Sequence, residues 1–274
     1  MPDLTKGKVT IAIVNYKTLE FIRLCLRSIR RFTRYPYEVI VIDNDSKDES
    51  LEYLKGLSWI RLIERSIEND VSGGHSHAKA LELGLKNCTT EFFLSMHSDT
   101  FIQKENWLRC LIAYFGNDET ICCVGSGKVE LTPRWRVVLK KATDFRTFKR
   151  KLLREPDPIG KYRYYNRTIC CLYRTEILRR ENLSFLADRD KGLTAGKKLY
   201  FDLVDRGYKT VELPAAVMGQ YIIHLAHATQ AVNQQEFTLR KRTIRKCNRL
   251  VNKVMSSEVI QGILADNGLD KRML

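Results

Sequence analysis

No two cysteines are spaced as C-x-x-C, although the chain has eight of them. Cys122-Cys123 and Cys170-Cys171 are adjacent pairs inside apolar runs, and Cys25, Cys88, Cys110 and Cys247 fall in helix-like or loop contexts. This usage predicts buried free thiols in a reducing compartment rather than a secreted disulfide framework. No apolar run is long enough to cross a bilayer. Met1 to Lys8 is polar and is followed by a short strand-like stretch, so no signal peptide is expected there. The expected location is cytoplasmic, soluble or peripheral on the inner face of the membrane. Neither GxGxxG nor GxxxxGK[ST] occurs, which excludes the dinucleotide fingerprint and the P-loop.

What the chain does have is length and positive charge. Its 274 residues can bury a large core as one big domain or as a domain with an appendage. The formal net charge is +15, concentrated in two places. One is Arg134 to Arg154, where cations interleave with Trp135, Phe145 and Phe148; the other is Arg240 to Lys253. A single such run is most often a solvated helix face, but two with embedded aromatics point to an anionic partner, nucleic acid or membrane surface.

The first half alternates strand and helix. Val9–Val14, Tyr37–Ile42 and Trp59–Ile63 have strand composition, and the helical segments are Leu19–Arg31, Ser46–Leu57 and His75–Leu85. A further apolar run, Glu91 to Met96, ends abruptly in His97-Ser98-Asp99. The alternation predicts a mostly parallel α/β sheet with right-handed crossovers and a ligand crevice at the strands' carboxyl ends. Polar groups gather at those ends: Asn15-Tyr16, Asp43-Asn44-Asp45-Ser46, Asn69 with Gly73-Gly74, and His97-Ser98-Asp99. A carboxylate there can accept from a pyrimidine N–H or ribose hydroxyls, and glycines let backbone approach a ligand, so the set describes a nucleotide site. Taken alone, His97 and Asp99 read equally as caps of the next helix.

Together these segments resemble the GT-A glycosyltransferases, specifically the family 2 group. Val9 to Tyr16 resembles their opening strand, Val41 to Asp48 their VDNxSxD segment, and His97-Ser98-Asp99 sits where they carry DxD or NxD. The resemblance covers roughly the first hundred residues and weakens beyond. It implies a GT-A domain over residues 1–232, with a nucleotide-sugar half (1–115), an acceptor half (116–232) carrying a basic insertion (133–165), and a basic helical extension (233–274). It implies a nucleotide-diphosphate sugar donor, a divalent ion (Mn²⁺ or Mg²⁺), transfer with inversion, and a saccharide or lipid-linked acceptor in cell-surface polysaccharide or glycolipid synthesis.

Carried over position by position, Asn15 and Asp43 would contact base and ribose, with Tyr16, Asn44 and Asn69 beside them, and Asp99 would hold the metal on the diphosphate. His97, in place of the usual Asp or Asn, would address ribose or metal-bound water, or ligate directly and favour Mn²⁺ over Mg²⁺. Gly74 and His77 would meet the donor at a helix amino terminus, alongside Ser98; His75 is at least as well read as a cap. His224 and His227, after the strand-like Val217–Ile223, resemble the family's late metal-binding histidine. Asn166–Arg174 resembles its acceptor-side strand, with the basic residue at Arg174. Aligning Gly192–Tyr208 on Gly207-Tyr208 puts Ala195-Gly196 where relatives have a Glu-Asp pair whose Asp is the catalytic base. An inverting transfer needs a carboxylate to take the acceptor's proton, and Asp188 and Asp190 are the substitutes, each readable also as a turn or salt-bridge residue. Two other classes stay open: a donor-binding protein without turnover, which the missing pair suggests, and a basic nucleic-acid-binding protein, for which no reading motif exists.

Overall fold

A computed structural model describes residues 3–70, 72–127, 165–186 and 193–271. The basic cluster Arg134–Arg154, Asp188 and Asp190 lie outside the described residues. A seven-stranded sheet forms the centre: β1 (Thr5–Asn15), β2 (Tyr37–Asp43), β3 (Arg61–Glu64), β4 (Thr90–His97), β6 (Ile121–Ser126), β7 (Cys170–Arg174) and β8 (Lys209–Leu213), in the order β3-β2-β1-β4-β7-β6-β8. Only β7 runs antiparallel to its neighbours. The expected mostly parallel α/β sheet is what the chain forms.

The apolar strands serve two cores by alternation. Val9, Ile11 and Ile13 face one cluster while Ala12 and Val14 face the other; β2 divides Val39 and Val41 from Ile40 and Ile42 in the same way. The first face is covered by α1 (Leu19–Phe32), α4 (Trp107–Ala113) and the carboxyl-terminal helices, α9 (Lys241–Met255) and α10 (Glu258–Ala265). The second is covered by α3 (Gly73–Lys86), α5 (Thr175–Arg180) and α6 (Ala195–Asp205). The carboxyl-terminal helices therefore bury Cys247, Val254, Ile260 and Ile263 in the cluster that holds α1. A short 3₁₀ turn, Asn267–Asp270, returns to α1, where the buried Arg27 takes up Asp270 and Asn267.

Two helices differ from the sequence reading. α2 spans Glu49–Lys55 rather than starting at Ser46, because the Ser46 hydroxyl is spent on Asp43 and the cap falls to Asp48, whose carboxylate accepts from Ser50 N. Val217–Ile223 is not one strand: it divides into α7 (Ala215–Met218) and β9 (Ile222–His224). Strand β9 pairs antiparallel with β5 (Thr100–Ile102) in a separate two-stranded ribbon. α8 (Ala228–Val232) follows. The eight cysteines are all free, and all but Cys110 are buried.

Candidate active site

Register places the polar strand ends side by side. Asn15 lies opposite Asp43 across β1 and β2, and Val14 lies opposite His97 across β1 and β4. The ribbon adds the fourth element: Thr100 pairs with His224, and Leu225 N donates to Asp99 O at 3.0 Å. Asp99 and His224, distant in the chain, thus share one corner.

That corner opens into a cleft of about 760 Å³ at the carboxyl ends of the adjacent strands β1 and β4. Its lining includes Val14, Tyr16, Asn44, Gly73, Gly74, His77, His97, Ser98, Asp99, His224 and His227, but not Asn15, Asp43 or Asn69. Four of the chain's five histidines line it, and the fifth, His75, lies 3.8 Å from Asp70 at its edge.

Among the described residues, one group of side chains is built to hold a cation: ligating atoms of His97, Asp99 and His224 all lie within 4.8 Å of one another. Asp99 Oδ1 is 3.5 Å from His224 Nε2 and 3.8 Å from His97 Nδ1. Neither is a good hydrogen bond, and this buried oxygen has no hydrogen-bond partner. A buried carboxylate oxygen without a donor is costly unless a cation meets it. Two imidazoles and a carboxylate converging on that atom fit a divalent ion. His97 Nε2 lies 3.3 Å from Thr168 Oγ1; when that nitrogen donates to the hydroxyl, the lone pair of Nδ1 is free for a cation held between it and Asp99.

Electrostatics keep His97 and Asp99 in ligand-competent states. Burial, followed by the neighbouring His77, pushes His97 down to about 3. Burial likewise pushes His77 down to about 4, against the opposing pull of Asp99. Both rings are neutral at pH 7. Burial alone would raise the Asp99 carboxyl, but His224 and then His97 outweigh it and hold it below its ordinary value. The three rings stack edge to face, His77 on His97 at 4.8 Å and His97 on His224 at 5.7 Å.

Several sequence assignments change. His97 joins the cation corner rather than standing beside it. His227 does not: its backbone is left-handed (φ 69°), its ring is exposed, and Nδ1 lies 2.9 Å from Gln230 Oε1. Asn15 and Asp43 sit beneath the cleft, not in it. Asn15 Nδ2 donates to Asp43 Oδ1 (2.8 Å) and Ser50 Oγ (2.9 Å), and Asp43 accepts from Ser46 N (2.9 Å) and Ser46 Oγ (2.6 Å). As placed, these two lock the loop after β2, and the residues of this edge that line the cleft are Asn44 and Tyr16. Asn69 is exposed; its neighbour Asp70 does the local work. Burial would raise Asp70, yet hydrogen bonds from Lys79 (2.8 Å) and Arg65 (2.6 Å) hold it at about 2, and Arg65 also donates to Asn44 Oδ1 at 2.8 Å. This cluster fixes the start of α3, where Ser72 caps His75 N.

Arg174 is structural: Nε donates to Ile121 O and its guanidinium lies over Phe115. Among the described residues, the cation lining the cleft is Arg167, three positions before the Cys170-Cys171 pair that opens β7, a place that only the path of the chain brings to the cleft. Tyr16 and Lys17 reach across to Glu236, and Phe237 packs edge-on to Tyr16 at 6.2 Å, so the segment after α8 straps the cleft.

Ala195-Gly196 opens α6, and both residues are buried. A Cβ at Gly196 would lie 2.7 Å from Thr168 Cγ2. Thr168 therefore fills the space a side chain at 196 needs, while its hydroxyl touches His97 and, at 3.5 Å, His77. Gly196→Ala is expected to lower unfolding stability by about 1–3 kcal/mol. Thr168→Ser, which removes the methyl and keeps the hydroxyl, should restore most of that loss in the double variant, as measured by urea unfolding.

The family model described as Glycosyl transferase family 2 matches residues 10–172, more than half of the chain. A teichoic acid poly(glycerol phosphate) polymerase of Staphylococcus epidermidis is 27% identical over 94 residues, covering 34% of this chain and 13% of the relative. An uncharacterized glycosyltransferase of Haemophilus influenzae is 26% identical over 118 residues, 43% of this chain and 36% of the relative. The match thus spans well under half the length of either relative. Among solved structures, a mannosyltransferase from Pyrobaculum calidifontis in complex with GDP-Man and Mn²⁺ superposes with TM-score 0.52 at 15% identity, covering 98% of this chain and 81% of that one. Glucosyl-3-phosphoglycerate synthase from Mycobacterium tuberculosis, in complex with Mg²⁺ and UDP, superposes with TM-score 0.51 at 17% identity, covering 90% and 79%. These two likenesses establish the fold.

Proposed function

The chain belongs to glycosyl transferase family 2, and from that premise we propose that it transfers a sugar from a nucleotide-diphosphate donor to an acceptor hydroxyl. The observation that carries this reading is the convergence of His97, Asp99 and His224 on an unpartnered carboxylate oxygen inside the cleft. Residues at these positions would hold Mn²⁺ or Mg²⁺, which neutralises charge developing on the leaving diphosphate. The solved relatives above carry such ions and nucleotides in their own sites, which supports the reading.

This chain's residues divide the remaining work. Asn44 and Tyr16 meet the base and ribose, with Asn15 and Asp43 holding the loop beneath them. The amino terminus of α3, with Gly73 and Gly74 open to the cleft, and the Arg167 guanidinium favour the diphosphate. The strap through Glu236 and Phe237 excludes water from the same side. No carboxylate stands at the start of α6, so we assign the acceptor's proton to Asp188 or Asp190, and with it an inverting displacement. The acceptor is a saccharide or lipid-linked hydroxyl of a cell-surface polysaccharide or glycolipid.

The test is nucleoside diphosphate release from UDP-, GDP- and dTDP-sugars with and without Mn²⁺. Release that needs metal and falls at least tenfold in Asp188→Asn or Asp190→Asn, with donor binding retained by thermal shift, is the expected result. Metal-dependent donor binding without release from any variant would instead indicate a binding protein.

A further inference from the structure

The 15-residue helix α9 has one strongly cationic face. Lys241, Arg242, Arg245, Lys246, Arg249 and Lys253 are all exposed, and their spacing sets them on a single arc of the helix. None forms an ion pair with an acidic side chain among the described residues, and no Asp or Glu occurs from Phe237 to Ser257. The opposite arc is already committed. Cys247 and Val254 are buried in the main core, and Leu250, Val251 and Met255 pack against it. The helix therefore lies flat on the body and cannot turn its apolar stripe into lipid, as a free amphipathic helix would. Its cations span about 18 Å along the axis, facing solvent and without an acidic partner among the described residues.

We propose that this arc attaches the protein electrostatically, without insertion, to a bilayer surface rich in anionic phospholipid. A row held flat on a globular body is complementary to a charged plane. It is poorly suited to nucleic acid: α9 has no aromatic side chain to stack a base, and half of the helix surface is unavailable to a groove. The attachment also has a geometric consequence for the cleft. Phe237 lines the cleft and Lys241 begins the helix, so four residues, at most about 14 Å of chain, separate them. The surface that docks and the strap that closes the cleft are thus mechanically adjacent, and an acceptor embedded in the membrane would be presented near the site. The inference stands on α9 alone and does not depend on donor turnover.

Sedimentation with vesicles of 1:1 phosphatidylglycerol and phosphatidylcholine, against pure phosphatidylcholine, tests it. The protein should partition to the anionic vesicles only, and lose binding steeply as salt rises. Each cation near such a surface contributes about fivefold. The variant Arg242→Gln/Arg245→Gln/Lys246→Gln/Arg249→Gln should therefore partition ~10²–10³-fold less, while circular dichroism and the donor-induced thermal shift stay as in the unsubstituted protein. A loss under tenfold, equal binding to neutral vesicles, or no vesicle binding overturns the proposal. So does tighter binding to single-stranded or duplex nucleic acid than to anionic vesicles at the same salt, if the same four substitutions abolish it.

Discussion

Asp99→Asn should reduce sugar transfer by about 10²–10³-fold, the scale of losing one preorganised electrostatic contact to developing charge, and it should do so with only a small fall in the melting temperature. The second half of this expectation is the informative one. Asp99 is 5% exposed and its Oδ1 has no hydrogen-bond partner, so the amide forfeits only the pull of His224 and His97 that holds the carboxyl below its ordinary value, set against the burden of burying a charge. An amide of the same shape removes that burden together with the capacity to hold a divalent ion. Activity and stability measured on the same preparation separate a functional carboxylate from a structural one, since a structural one would cost both. His97→Asn should be milder and should change metal preference. The imidazole suits Mn²⁺ better than Mg²⁺, and removing it leaves a more oxygen-rich set on which Mg²⁺ competes better. Isothermal titration of both ions reads the ratio without turnover, and an unchanged ratio would remove His97 from the ligand set.

Arg27→Ala should be the most destabilising single change on the other side of the sheet, at about 3 kcal/mol in chemical unfolding. Arg27 lies on α1 with its side chain 3% exposed. Its Nε donates to Asp270 Oδ1 at 2.9 Å and Nη2 to Asn267 Oδ1 at 2.7 Å, while Nη1 reaches the Leu264 carbonyl. Tyr53 donates to the same Asp270 at 2.8 Å. The hydrogen bond to Asp270 comes first among the interactions that raise the Arg27 pKa, as expected of a guanidinium held by a carboxylate. Truncation would leave Asn267 and a helix carbonyl without their donor and Asp270 with Tyr53 alone, and would loosen α10 from α1. Asp270→Asn should cost less, because the guanidinium keeps its carbonyl and amide partners. If Arg27→Ala unfolds at the same urea concentration as the unsubstituted protein, the carboxyl-terminal helices are held by apolar packing alone.

How much of this was readable from sequence varies with the range of the interaction. β1, β2 and β4 were legible because their residues are β-branched or aromatic and the runs end sharply in polar groups. The start of α2 was not, since Ser46 looked like a cap but was drawn away by Asp43 and Asn15, a contact across two strands. The same network explains why Asn15 and Asp43, good ligand residues by type, are spent beneath the cleft. Asp70 was hidden behind Asn69 because its meaning comes from Arg65 and Lys79, which only the fold of the α3 entry brings to it.

The metal corner shows the division most directly. The sequence by itself determined that a carboxylate would stand at the end of a buried parallel strand, and that late histidines were candidates to join it. Alternating apolar residues dictate the strand, and a strand dictates where its end points. Which histidine joins was decided by tertiary structure alone. The β5–β9 register carries His224 to Asp99, whereas a left-handed turn at His227 directs that ring to Gln230. Local periodicity encodes elements, but pairing between distant strands is selected by the packing of the whole core.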